Sequence, residues 1–219
     1  ELADDHYYNP YWGFQQGEKR SSRIYSSHQP LINLRHDWLV NDKISIVTSL
    51  AYQTGNNSIE ALDWLNANDP RPDYYRRLPS YVDNAEVAEQ MRLLLSTNES
   101  LRQIQWDKLY EVNLNSLATI NNANGTGNAV TGKLSQYVME ERRSDADHKT
   151  GNIVLQYLLS EISTINIGAQ VIMQDTRHYK VLSDLLGGEF YVDWDKFAAQ
   201  DFPGNEEILQ NDLLRPNRI

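Results

Sequence analysis

The chain has no cysteine among its 219 residues, which excludes disulfides and thiolate metal sites. It also lacks any apolar run near the roughly 18 residues that a membrane-spanning helix requires. Mean hydropathy is −0.61. A helical membrane protein is thereby excluded, but a β-barrel is not, because half of each barrel strand faces water. Basic residues are outnumbered 20 to 30 by acidic ones, giving a net charge of −10. No basic stripe is left to neutralise phosphates, so nucleic acid is not an expected partner; Arg76-Arg77 and Arg142-Arg143 are isolated pairs.

Catalytic signatures are missing as well. There is no G-x-S-x-G elbow, phosphate loop or dinucleotide fingerprint, and Gly125-Thr126-Gly127 lacks the lysine that would follow in a phosphate loop. His6, His28, His36, His148 and His178 show no metal-ligand spacing. Asp63, Asp69, Asp73, Asp107, Asp193 and Asp195 read as solvated loop charge rather than as a glycosidase pair. The expectation is a protein that is not an enzyme, with no catalytic residues, no metal and no cofactor. The opening Glu1-Leu2-Ala3-Asp4-Asp5 is acidic and reads as no signal peptide, so an exported protein would be represented here by an internal piece.

What the chain does contain is two-residue periodicity. Ile32, Leu34, His36, Trp38 and Val40 share one face of a strand, with Asn33, Arg35 and Asp37 on the other. After Asn41-Asp42, Ile44, Ile46, Thr48, Leu50 and Tyr52 oppose Ser45, Ser49, Ala51 and Gln53. The figure returns in Asn152 to Ser160, with Ile153, Leu155, Tyr157 and Leu159 aligned. It continues after a turn near Ser160-Glu161, with Ile165, Ile167, Ala169, Val171 and Met173 aligned. Each run reaches the roughly 9–11 residues that a tilted strand needs to cross a bilayer. Thirteen tyrosines and five tryptophans suit interfacial girdles, sugar-binding surfaces and ordinary cores alike.

Between the ribbons lie long excursions. Residues 1–22 read as a loop, and Pro30 marks a strand edge, bulge or end. In the excursion 56–131, Asp83 with Glu86 reads as a helix start ahead of Ala85, Ala88, Met91, Leu94 and Leu95. Asn121 to Asn128 is turn-prone. Gln136 to Asp147 reads as the extramembrane part of the third strand, and Asp184 to Gly188 as a turn; Asp193 or Asn205 could cap short helical turns. Short turns on one side against long excursions on the other are the asymmetry of an outer-membrane barrel.

Tyr8 to Arg20 (YNPYWGFQQGEKR), Asn68 to Tyr81 (NDPRPDYYRRLPSY), Ile104 to Tyr110 and Asp184 to Gly188 resemble extracellular loop segments of TonB-dependent receptors of the Bacteroidota type. The resemblance runs over essentially the whole chain, and the proline-rich stretch is its most specific part. It implies an outer-membrane barrel of about 22 strands closed by a plug, importing a scarce ligand with energy delivered through TonB. This chain shows no plug, no TonB box and only about four membrane strands. The expected fold is therefore all-β: a partial antiparallel transmembrane barrel over residues 1–219. Its strand pairs fall at about 23–55 and 132–176, and extracellular loops at about 56–131 and 177–219 carry short helices. Implied partners are outer-membrane lipid, TonB through a part outside this chain, the imported ligand, and a surface lipoprotein.

Ligand contacts are expected on the loops, from Trp12, Trp64, Tyr74, Tyr75 and Trp106, with Arg71 and Arg76 for an anionic group. Two other readings stand beside this one. One is a soluble β-rich module binding a glycan or other ligand, its apolar faces forming a core between sheets. The other is a hydrolase using loop carboxylates.

Overall fold

The computed structural model describes residues 2, 3 and 5–193. Its strands are β1 (Trp12–Gln15), β2 (Glu18–Ser21), β3 (Arg23–His28), β4 (Leu31–Asn41), β5 (Ile44–Trp64), β6 (Leu117–Ile120), β7 (Val130–Lys133), β8 (Tyr137–Ser160) and β9 (Ser163–Asp184). Two helices, α1 (Ala85–Thr97) and α2 (Trp106–Leu114), lie between β5 and β6. The chain is thus mostly β. Its main sheet runs β3-β5-β8-β9, with β4 also paired to β5. Among the described residues this sheet is open, with β9 at one edge, and does not close into a barrel. Two small sheets, β1-β2 and β6-β7, stand apart from it. Two compact units result: residues 25–59 with 142–181, and the remaining described residues up to 24, 60–141 and 182–193.

The first of these units is a ribbon. Ile32 pairs with Tyr52, Leu34 with Leu50, His36 with Thr48 and Trp38 with Ile46, so the apolar sets of β4 and β5 share one face as their alternation predicts. The Asn41 side chain closes the turn by accepting from the backbone N–H of Lys43 at 2.9 Å and of Ile44 at 3.0 Å. The turn therefore sits one residue later than expected, with a register irregularity between Leu39 and Asn41. Leu50 lies 3.6 Å from a side chain built at Gly151. The Tyr52 hydroxyl donates to Asp147 at 2.8 Å, and Tyr179 to Asp145 at 2.7 Å. These contacts put the odd residues of β8 and β9 on the face of the even residues of β4 and β5. Gly55, at φ +145°, sits against the His28 carbonyl, where Gln29-Pro30 interrupts β3 and β4. A side chain there would collide with backbone, so the break and the glycine belong together.

This ribbon has no core. Every residue of β4 is exposed, and Ser58 is the only buried residue of the unit. The other unit has one. Ile104, Trp106, Leu109, Tyr137, Met139 and Leu186 form a buried cluster, with Leu62, Trp64, Ala67 and Tyr110 packed against it. Trp106, Leu109 and Tyr110 come from one side of α2 at helical spacing. Asn113 completes that stripe, fully buried at 0% exposure. Its amide nitrogen donates to the carbonyls of Tyr137 (2.7 Å), Leu185 (2.9 Å) and Leu186 (3.1 Å). Its oxygen accepts from the backbone N–H of Gln136 (2.9 Å) and Tyr137 (3.1 Å).

Several elements differ from expectation. Residues 1–22 are not all loop: β1 and β2 form a hairpin whose turn residues, Gln16 and Gly17, have φ of 51° and 87°, as a primed turn requires. Strand β5 runs to Trp64 and β9 to Asp184, so the excursions begin later than positions 56 and 177. The ladder continues into polar sequence because neighbouring strands still supply backbone partners, which side-chain alternation does not report. Helix α1 is capped by Asn84, not Asp83, through bonds from Glu86 N–H (2.9 Å) and Val87 N–H (3.2 Å). The Asn121–Asn128 stretch is the connection of the β6-β7 hairpin. Asp193 is the last of the described residues, and the expected cap at Asn205 lies outside them.

Replacing Asn113 by alanine leaves backbone groups of two segments, 136–137 and 185–186, without that partner. The expected loss is at least about 3 kcal/mol, read as a lower midpoint in denaturant unfolding followed by tryptophan fluorescence.

Candidate functional site

The loop residues expected to meet a ligand fall into three settings. The first is core. Trp106 is 0% exposed, its indole N–H donates to the Arg20 carbonyl at 3.3 Å, and the Arg20 guanidinium lies 4.4 Å from its ring centre. Arg20 in turn donates to Asp184 at 2.7 Å and to Gln15 at 2.8 Å. Burial alone would lower the Arg20 pKa, but hydrogen bonds to Asp184 and Tyr110 and the Asp184 charge raise it overall. No surface of Trp106 is open to a ligand. Its role is to fix α2 against β2.

The second setting is half-buried and self-satisfied. Trp64, at the end of β5, packs on the core and carries the Arg71 guanidinium 5.2 Å above its ring. Arg71 is held by Asp69 through bonds from its Nε at 3.0 and 3.1 Å to the two carboxylate oxygens. The hydrogen bond to Asp69 raises the Arg71 pKa. The pair clamps the proline-rich stretch from within, with the Arg71 side chain 42% exposed.

The third setting is an exposed aromatic cluster. Tyr74 and Tyr75 meet edge-to-face at 5.0 Å, and Tyr75 and Tyr81 at 5.2 Å. Tyr75 and Tyr81 are each 52% exposed. Arg76 lies 5.6 Å from the Tyr75 ring and donates from Nε to its hydroxyl at 2.9 Å. Among the described residues no carboxylate pairs with Arg76. Two short 3-10 turns, Tyr75–Arg77 and Pro79–Tyr81, set these rings side by side, with Pro79 buried as their anchor. Beside this segment an apolar groove of about 260 Å³ is lined by Pro70, Pro72, Met91 and Leu94, with Arg77 and Lys108 among its polar walls.

Trp12 belongs to the β1-β2 hairpin. Its ring meets Phe14 edge-to-face at 5.5 Å, and the Lys19 ammonium lies 4.6 Å from it. Next to it, the Tyr11 hydroxyl donates to Asp73 at 3.0 Å, tying the hairpin to the proline-rich stretch. Of the expected ligand residues, Tyr74, Tyr75 and Arg76 are thus brought together, Trp12 is half-buried on its own hairpin, and Trp64, Arg71 and Trp106 serve packing. Tyr81, an aromatic of the same proline-rich stretch, joins the cluster. Among the described residues no group of three or more His, Asp or Glu side chains is placed to hold a metal ion, and no helix is long and apolar enough to cross a membrane.

No protein-family model and no curated protein matches the chain. Among solved structures it is similar to one described as the cryo-EM structure of the Gasdermin A3 membrane pore. That match has 7% identity and a TM-score of 0.18, over 75% of this chain and 54% of that one. A superposition at that score says nothing about function.

Burial raises the phenol pKa of Tyr8, Tyr11, Tyr137 and Tyr191, and for Tyr11 the hydrogen bond to Asp73 adds to it. Each stays protonated in the fold at a pH where the unfolded chain has begun to ionise near 10. Stability from these groups is fully present below pH about 10 and is lost as pH rises through the folded values. Alkaline titration of the fluorescence-monitored unfolding midpoint should show that fall, and Tyr11→Phe should reduce its slope.

Proposed function

We propose that this chain is a segment of a TonB-dependent outer-membrane transporter, and that its ribbon unit lies in the bilayer with the even face of β4 and β5 toward lipid. One observation carries the reading: a sheet unit without a core that displays a continuous apolar face of membrane height. On that face Ile32 is 71% exposed, Leu34 65%, Trp38 53%, Leu50 56%, Ile167 64%, Val171 57% and Met173 63%. Exposed apolar patches of this extent mark an interaction surface. Nine residues from Ile32 to Val40 match the length of a tilted spanning strand. The opposite face carries Arg35 paired to Asp37 at 2.8 Å, and Ser45 bonded to Gln156 at 3.3 Å. Such residues suit a wet lumen, with Leu31, Leu39, Leu158 and Ile172 as exposed apolar exceptions.

Five strands are too few to close a barrel, since the smallest have about eight, so the reading requires further strands to complete the wall. In the same reading the cluster of Tyr74, Tyr75, Tyr81 and Arg76 in the core-bearing unit is the ligand-contact surface, with Trp12 a secondary contact. Rigid aromatic rings supply contact area at small entropic cost, and the unpaired Arg76 supplies a charge for an anionic group. Energy through TonB, and any surface lipoprotein partner, would act through parts other than the residues described here.

The membrane assignment is tested by paired substitutions. Leu34→Arg should destabilise the bilayer-inserted protein by about 2–4 kcal/mol near the midplane, while Asn33→Arg should cost far less. Equal tolerance at both positions, or a monodisperse water-soluble monomer that unfolds cooperatively, would favour the soluble-module reading. For the ligand surface, Tyr75→Ala with Arg76→Ala should lower uptake by the complete transporter without lowering its surface level. A parallel fall in both would make the cluster a packing element.

A further inference from the structure

The apolar face of the ribbon ends at one level on three adjacent strands. On β5 it gives way after Leu50 to Tyr52 and Thr54; on β9, after Met173 to Asp175 and Arg177; on β8 the same level is Gly151, followed outward by Lys149 and Asp147. Contacts across the strands align these positions. The Lys149 ammonium lies 6.0 Å from the Tyr52 ring, and Tyr52 donates to Asp147 at 2.8 Å. Directly beyond this border is a depression of about 390 Å³, walled by Arg143, Asp145, Asp147, Asp175, Arg177 and Tyr179. That volume is within the range of small-molecule sites, roughly 300–1,000 Å³. Cations and carboxylates balance there, three against three when Lys149 is included. Two of the carboxylates already hold tyrosine hydroxyls, Asp147 that of Tyr52 and Asp145 that of Tyr179 at 2.7 Å. Arg177 is exposed and makes no ion pair among the described residues.

We infer that this belt binds the phosphorylated sugar headgroup of the outer-leaflet glycolipid, lipopolysaccharide, an inference that rests on the membrane reading above. A headgroup at this level meets the belt while its acyl chains lie along the apolar face, so the depression and the lipid face form one continuous contact. A guanidinium fork suits a phosphate, and carboxylates among tyrosine and threonine hydroxyls suit sugar hydroxyls. The balance of charge distinguishes this from attraction to any anionic surface, which would need an excess of cations. Selectivity for the sugar-phosphate headgroup over a simple anionic lipid follows.

The complete transporter that carries this segment is reconstituted into three phosphatidylcholine bilayers: plain, containing phosphatidylglycerol, and containing rough lipopolysaccharide at matched charge. Lipid retained on the protein is then counted by native mass spectrometry. Lipopolysaccharide should be retained about tenfold over phosphatidylglycerol. Arg143→Gln with Arg177→Gln should abolish that preference, and Arg177→Lys, which keeps charge but loses the planar fork, should lose most of it. Arg92→Gln, on α1, should change nothing. Insertion into plain bilayers with equal retention of both anionic lipids would overturn the belt and leave the membrane reading intact. Unchanged preference in the double variant would also overturn it. Failure to insert into any bilayer would overturn both.

Discussion

Asn113 carries no charge and touches no solvent, yet two separated pieces of the chain converge on its side chain. Its amide meets the start of β8 from both sides of one peptide, at Gln136 and Tyr137, and also the turn that follows β9, at Leu185 and Leu186. A buried amide in an apolar cluster is costly unless satisfied, and here both its ends are occupied. The consequence is positional. Helix α2 can occupy only the place where those backbone groups meet it, and Trp106, Leu109 and Tyr110 are packed as a result. Leu186 is held at φ +48° with its side chain fully buried, a conformation disfavoured for leucine that the two adjacent carbonyl contacts help to hold.

Around that hub the two units follow different physical rules. The core-bearing unit is stabilised as a water-soluble domain is, by apolar burial and by ion pairs drawn over aromatic rings, as with Arg20 on Trp106 and Arg71 on Trp64. The ribbon buries almost nothing and relies on its backbone ladder. A sheet of that kind is not self-sufficient in water. Its stability must come from whatever covers the apolar face, and for the proposed function that cover is lipid.

The sequence was most legible where one periodicity ran uninterrupted for long enough. The alternation from Leu31 to Tyr52 fixed the pairing of Ile32 with Tyr52 and of Leu34 with Leu50, because slipping by one residue would turn every apolar side chain to the wrong face. Four-residue strands such as β1 and β6 carry too few alternations to stand out from loop. The outer reach of β8 is legible as the charged continuation of its strand, but those of β5 and β9 are not, because polar residues break the alternation there and backbone pairing marks the strand. Aromatic residues were the least legible. Trp106 and Tyr75 occur in similar loop-like sequence, yet one is sealed in the core and the other half exposed, since a ring serves packing or recognition equally well. Asn113 could have been found, as the polar member of an otherwise apolar stripe on α2.

The length of the central pairing has a kinetic consequence. The hairpins β4-β5 and β8-β9 close through tight turns and can form as soon as they are made. Strands β5 and β8, by contrast, join residues as distant as Lys43 and Leu158, whose carbonyl and N–H meet at 2.8 Å. Closing so large a loop is slow, and rates fall as contacts become more distant in sequence. Compaction of the intervening residues 60–141 around Asn113 shortens the effective loop before the two hairpins meet. Until they do, the inner edges of β5 and β8 are open templates for pairing with other chains. The order of events, insert first and seam last, therefore decides whether this sequence assembles or aggregates.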